Sequence, residues 1–303
     1  MLDTEDPRYR AMDLVSRHMS VESEFCRACV RMGYLTAEQM ARAARRYRLG
    51  VNRYGAVIYW QIGLMGEVYD GKIMYYRADC HRDKQRPTTW VSAVMKAYYG
   101  YPGELPTVHG LFGAQLIKAT ENTDNTDKET NTNSTNDTNK ETNTDDTDNT
   151  DKAESAESTD KETNTDDTDN TDKAESAEST DKETNTESAD KANNTDKAVA
   201  VVESEKTAVI MSELYRDYLW VAAGGLYELT KEKLFMLRGR KVVLFPDTDP
   251  EGEAFKRWYN VARKAEWLLG QRIFVSPLLE QHATAEQKLR KIDILDFYFS
   301  LRR

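Results

Sequence analysis

Two stretches decide the fold: Ala198-Val-Ala-Val-Val-Glu203-Ser-Glu-Lys-Thr-Ala208 and Lys241-Val-Val-Leu-Phe-Pro-Asp247-Thr-Asp249-Pro-Glu-Gly252. Each is a short β-branched and apolar run that closes on carboxylates and passes at once into a helical pattern. Such runs, bounded by turn residues, read as buried strands. Leu219-Trp-Val-Ala222 and Arg272-Ile-Phe-Val275 read the same way, and helices are expected over 208–218, 231–237 and 251–269. Strands alternating with helices call for a parallel sheet. Open sheets of this kind bind ligands outside the carboxyl ends of their strands, where Glu203, Asp247 and Asp249 fall. Other readings exist for these acids. Glu203 suits the first turn of a helix, where the dipole favours an acid, and Asp247 and Asp249 suit the turn before one.

Working outward, the composition splits the chain into three parts. The 303 residues carry a formal charge of −10, but residues 119–197 alone hold 25 acidic residues and 8 lysines. The remainder has 34 basic against 27 acidic residues, a net +7 that suits a polyanionic partner. Within the tract, Glu141 to Lys161 recurs unchanged as Glu162 to Lys182, a period of 21 residues. The unit holds no Leu, Ile, Val or aromatic residue, so stacked copies have no core to bury, and disorder is expected. Loop closure costs grow only logarithmically with length, which makes such an insertion tolerable. Three cysteines and the start Met-Leu-Asp-Thr-Glu-Asp lead us to expect a cytoplasmic chain. No apolar run approaches the ~20 residues that span a bilayer, so no membrane partner is expected.

Residues 1–118 open with helical patterns. Thr36-Ala-Glu-Gln39 has the form of a capping box, and the helix it starts carries Arg42, Arg45, Arg46 and Arg48. These are either a phosphate-facing strip or a solvated face. From Tyr54 the period changes to that of strands: Ala56 to Ile62, then Val68, then Ile73 to Tyr76. Arg82, Lys84 and Arg86 form a basic loop before a helical stretch from Trp90 to Tyr99. Cys26-x-x-Cys29 lacks a second ligand pair at zinc-site spacing. The single-stranded-base reading of Trp60, Tyr75, Tyr76 and Trp90 competes with core packing, as does an acid–base role for His109 with a structural one.

The pair Val-Val-Glu203-Ser-Glu-Lys-Thr-Ala and Leu-Phe-Pro-Asp247-Thr-Asp249-Pro-Glu-Gly resembles the Toprim domain shared by primases, topoisomerases and some nucleases. Ser204 stands where that pattern often has Gly; the Asp-x-Asp is intact. The meander Tyr54 to Tyr76, with Gly66-Glu-Val and Gly71-Lys-Ile-Met, is similar to the segment that precedes Toprim in bacterial primases. His109-Gly-Leu-Phe-Gly-Ala-Gln-Leu-Ile117 resembles the lead-in to the first Toprim strand there, and Asp293-Ile-Leu-Asp296-Phe resembles the tail. The same order occurs in a family of bacterial mobile elements without an established activity.

The resemblance implies an α/β chain in three parts: a primase-like α+β domain (1–118), a disordered acidic insertion (119–197) and a Toprim-like parallel sheet (198–303). It implies Mg²⁺ or Mn²⁺ held by Glu203, Asp247, Asp249 and Asp293, with Glu203 as general acid/base and Lys206 stabilising phosphate charge. Lys72, Arg82, Lys84 and Arg86 would then contact template or nucleotide. The implied reaction is primase-like nucleotidyl transfer on single-stranded DNA, with nucleotides as substrates and a separate helicase as a further partner. A Toprim nuclease and a non-catalytic nucleic-acid-binding accessory protein are the alternatives.

Overall fold

The computed structural model describes residues 7–99, 109–117 and 196–302, which belong to one compact unit. The reading of 119–197 as a disordered insertion lies outside the described residues, apart from the last two.

The first segment begins with helices α1 (Pro7–His18), α2 (Glu24–Arg31) and α3 (Ala37–Tyr47). Their starts are set by short polar side chains. Ser23 Oγ accepts the Cys26 N–H ahead of α2, and Thr36 and Gln39 form the expected reciprocal capping box on α3. An antiparallel sheet follows, β1 (Gly50–Val51), β2 (Val57–Ile62), β3 (Val68–Met74) and β4 (Thr89–Trp90), in that spatial order. It leads into α4 (Val91–Tyr99). Every residue of β2 is buried, because both of its faces are covered. Ile58, Trp60 and Ile62 face one way, into a cluster with Val15 and Ile73. Val57 and Tyr59 face the other, into the core shared with the second segment. Gly71 sits where a Cβ would meet the Trp60 ring at 2.8 Å, so the strand admits no side chain there.

The second segment runs β5 (Ala198–Val202), α5 (Glu205–Leu214), β6 (Tyr218–Ala222), α6 (Lys231–Phe235), β7 (Val242–Leu244), α7 (Glu253–Leu269) and β8 (Ile273–Val275). Three short helices close the chain: α8 (Leu278–His282), α9 (Ala285–Leu289) and α10 (Ile294–Ser300). The strands form a four-stranded parallel sheet in the order β6-β5-β7-β8. Val199, Val201, Val221 and Leu244 pack on Leu234, Trp258, Ala262 and Ala265 from α6 and α7. On the opposite face, Ala200, Val202, Trp220 and Ala222 share a core with α5, α10 and the first segment's Phe25, Tyr47, Tyr59 and Phe112.

Backbone bonds fix this junction. Phe112 and Ala222 exchange N–H···O bonds of 2.9 and 3.0 Å, and the buried Tyr47 hydroxyl donates to the Trp220 carbonyl at 2.7 Å. Gly113 (φ +87°) turns the chain there; a Cβ would meet Tyr47 at 3.0 Å.

One local expectation is corrected. The helix after β5 spans Glu205–Leu214 rather than 208–218, because the Glu205–Lys206 pair lies within the first turn and Tyr218 is claimed by β6 opposite Ala198. The segment from His109 to Ile117 holds a 3-10 turn, Ala114–Leu116, with Phe112 in a β-bridge before it. Helix α9 starts behind a Thr284–Gln287 capping box.

Candidate functional site

The parallel sheet delivers two carboxylates side by side. Glu203 follows β5 directly and Asp247 lies three residues beyond β7; the strands are neighbours. Their carboxyl groups are hydrogen-bonded to each other. Burial pushes Glu203 up to about 7, and the bond from Asp247 only partly offsets this. Asp247 is held well above its ordinary value by burial and then by the charges of Glu203 and Asp293. Both carboxyls are thus held above their ordinary values by burial and by each other's company.

Asp293 joins them from the N-cap of α10. One of its oxygens accepts from the Thr207 hydroxyl and the other from the Asp296 N–H at 2.8 Å. Asp296 is raised by burial and by the charge of Asp293. Lys206, in the first turn of α5, answers these acids. Burial works against its ammonium, but Asp293, Cys80, Asp296 and Tyr34 outweigh that and raise its pKa. Its Nζ lies 5.8 Å from the centre of the Tyr34 ring. The loop between β3 and β4 arrives at the same place: Cys80 bears on Lys206 and His81 on Asp296. Arg82, Lys84 and Arg86 continue that loop as exposed residues, with the Arg86 guanidinium 4.2 Å above the Tyr75 ring.

Two expected site residues are placed otherwise. Asp249 is turned onto α7, where its carboxylate accepts the N–H groups of Glu251 (3.0 Å), Glu253 (3.1 Å) and Ala254 (2.8 Å). Burial works to raise its pKa, but those three bonds leave it lowered. The Asp-x-Asp thus divides into one carboxylate for the rim and one for the helix start. Asp249→Ala is expected to cost about 1–2 kcal/mol in urea unfolding, with Asp249→Asn much milder. Unchanged stability together with weakened metal binding would return Asp249 to the rim.

Lys72 lies on the face of β3 that looks toward α5. Its Nζ is 2.8 Å from Glu205 Oε1 and 3.0 Å from the Gly224 carbonyl, and both side chains are mostly or fully buried. Its charge is committed inside the protein rather than offered to a phosphate. Beside it, His109 stacks on Trp90 at 3.7 Å with its Nε2 3.9 Å from Asp70. Burial lowers the His109 pKa. Lys233 donates to the Ala223 carbonyl at 2.9 Å.

Among the described residues no three His, Cys, Asp or Glu side chains are gathered closely enough to form a metal cage. Asp249 and Asp293 are each engaged by neighbouring N–H or O–H donors, and Glu203 and Asp247 are the two carboxylates that meet at the strand ends. Two carboxylates suit Mg²⁺, which keeps several waters and binds through one or two carboxylates plus substrate phosphates.

The raised Glu203 pKa has a measurable consequence. Unfolded, Glu203 titrates near its ordinary 4.5; folded, it stays protonated up to about 7. Between these limits the folded protein binds more protons than the unfolded chain, so stability falls as pH rises through the window. Metal-free melts should show this decline, and Glu203→Gln should make it shallower. An equally steep profile in that variant would exclude Glu203 as a source of it.

The fold and rim together define a mixed α/β protein with paired carboxylates at the ends of adjacent parallel strands. The family model described as "Domain of unknown function (DUF6371)" matches residues 24–126 and 188–248, more than half of the chain, and the chain belongs to that family. The match takes in Glu203 and Asp247 and ends before Asp249. Neither the curated proteins nor the solved structures contain a match. No helix among the described residues is long and apolar enough to cross a membrane.

Proposed function

We propose that this chain is a Toprim-type, primase-like nucleotidyltransferase acting on single-stranded DNA with nucleotides as substrates. The observation that carries this reading is the Glu203–Asp247 pair, two interacting carboxyls just beyond the carboxyl ends of adjacent parallel strands. Glu203 and Asp247 would hold Mg²⁺ or Mn²⁺. When bound, such an ion neutralises phosphate charge and favours ionisation of the attacking hydroxyl.

The chain's own residues supply the rest. Glu203 serves as the general acid/base of the reaction. It takes the proton of a primer 3′-hydroxyl as that oxygen attacks the α-phosphorus of a nucleoside triphosphate, and pyrophosphate leaves. Lys206, whose ammonium answers Asp293 and Asp296, would balance charge on the transferring phosphate. Asp293 acts from behind, positioned by Thr207. The basic loop carrying Arg82, Lys84 and Arg86 provides phosphate contacts next to the rim. The reading is tested by incubating the full chain with Mg²⁺ or Mn²⁺, nucleoside triphosphates and single-stranded templates, with Asp247→Asn as control. New oligonucleotides lost in the variant support it. Metal-dependent nicking without synthesis would assign the site to cleavage, and binding without turnover would leave an accessory protein.

A further inference from the structure

At the far end of α5, arginines collect around a single acid. The Glu213 side chain is completely buried. Arg42 donates to its Oε2 from Nη2 (3.0 Å) and Nε (3.3 Å), and Arg216 Nη2 donates to the same oxygen at 2.8 Å. Arg46 Nη1 lies 2.8 Å from Oε1 and donates to Ser212 Oγ at 3.1 Å. Tying α3 to α5 needs one arginine; three crowd like charge around one carboxylate. Arg42 and Arg216 keep 41% and 54% of their side-chain surface exposed, with N–H donors left over.

Aromatic rings continue this surface. Tyr215, beside Arg216, is 45% exposed, and its ring meets that of Tyr298 edge-on at 5.5 Å. The guanidinium of Arg302 lies 4.4 Å above Tyr298. Three arginines thus meet the single carboxylate of Glu213, an excess of positive charge at this point of the surface. From Glu205 to Glu213 the helix rises about 12 Å, which separates this surface from the acidic rim.

We propose that the surface from α3 across the end of α5 to α10 is a track for single-stranded nucleic acid. Phosphates lie on Arg42, Arg46 and Arg216, and unpaired bases lie against the exposed Tyr215, backed by the half-buried Tyr298. Cations interleaved with exposed rings are what a single strand requires, since every base has a face to stack. A duplex hides those faces, and a phosphopeptide needs one deep pocket rather than an extended row. The proposal rests on the reading of the rim as a nucleic-acid enzyme and deepens it by locating the strand.

The test is fluorescence anisotropy of a labelled oligothymidylate with the full chain in EDTA, across a salt series. Arg42→Ala/Arg216→Ala is expected to bind about tenfold more weakly, with a salt slope shallower by about 1.4 for two lost phosphate contacts. Tyr215→Leu leaves Glu213 and its arginines in place. It should lower oligothymidylate affinity about fivefold or more and leave an abasic oligomer unaffected. Melts of each variant check folding. No wild-type binding, an unchanged slope, or tighter binding of duplex or phosphopeptide would overturn the track. Because binding is read without metal, the two readings fail separately. Weakened binding in the variants with no turnover keeps the track and removes the enzyme, and turnover with unaltered binding does the reverse.

Discussion

Lys72→Ala is expected to destabilise the protein by about 3–5 kcal/mol, the usual cost of leaving one partner of a buried ion pair alone. Lys72 retains 13% and Glu205 only 3% of side-chain exposure, so neither charge has water to fall back on. The lysine also caps the Gly224 carbonyl, at a turn where φ is +97° and the chain leaves the sheet. Its loss strands a carboxylate and an acceptor together. In a protein of this size the melting temperature should fall by roughly 10 °C. Urea unfolding of Lys72→Ala and Lys72→Ala/Glu205→Gln decides the cause. The double variant should regain much of the loss, because it removes the buried negative charge. A single variant within about 0.5 kcal/mol of wild type would mean the pair is open to solvent, and Lys72 would again be available for phosphate.

Asp247→Asn is expected to divide stability from chemistry. The amide retains a hydrogen bond to Glu203 but cannot ionise, so the metal-free protein should hold or gain stability above pH 7. The proposed nucleotidyl transfer should fall by at least about 100-fold, since even the outer partners of metal ligands cost 10–100-fold when removed. Isothermal titration with Mn²⁺ should lose its heat in the same variant. Full activity in Asp247→Asn would remove the rim from the mechanism. Lost activity with undiminished Mn²⁺ binding would move the ion to other ligands.

The strands, their parallel pairing and the placement of Glu203 and Asp247 at their ends were legible because short apolar runs closed by turn residues have few other readings. Asp249 was not. In an extended chain residues i and i+2 share a side, so Asp-x-Asp reads as a pair. The chain has already left β7 at Pro246, however, and Pro250-Glu-Gly252 bends it until three N–H groups face Asp249. Helix-start chemistry was the competing reading, and it prevailed. Asp293 fits both readings, capping α10 while its charge bears on Asp247.

Lys72 and the α3 arginines were hidden for a different reason. A lysine after Gly71 looks like surface charge until Glu205, 133 positions later, is known to face it. Arg42 and Arg46 meet Glu213 across a similar distance in sequence. Sequence spacing reports neighbours along a helix or strand, and these partners are neighbours only across the shared core. The close approach of Cys29 and Cys80, 3.4 Å between sulfurs, was invisible on the same grounds.

That shared core carries a consequence for the gene. Tyr47, Tyr59 and Phe112 supply one wall of a room whose other wall is Ala200, Val202 and Trp220, so neither half is furnished to stand alone. A coding sequence broken between the halves would still specify a single molecule, delivered as two polypeptides that recognise each other by what they enclose.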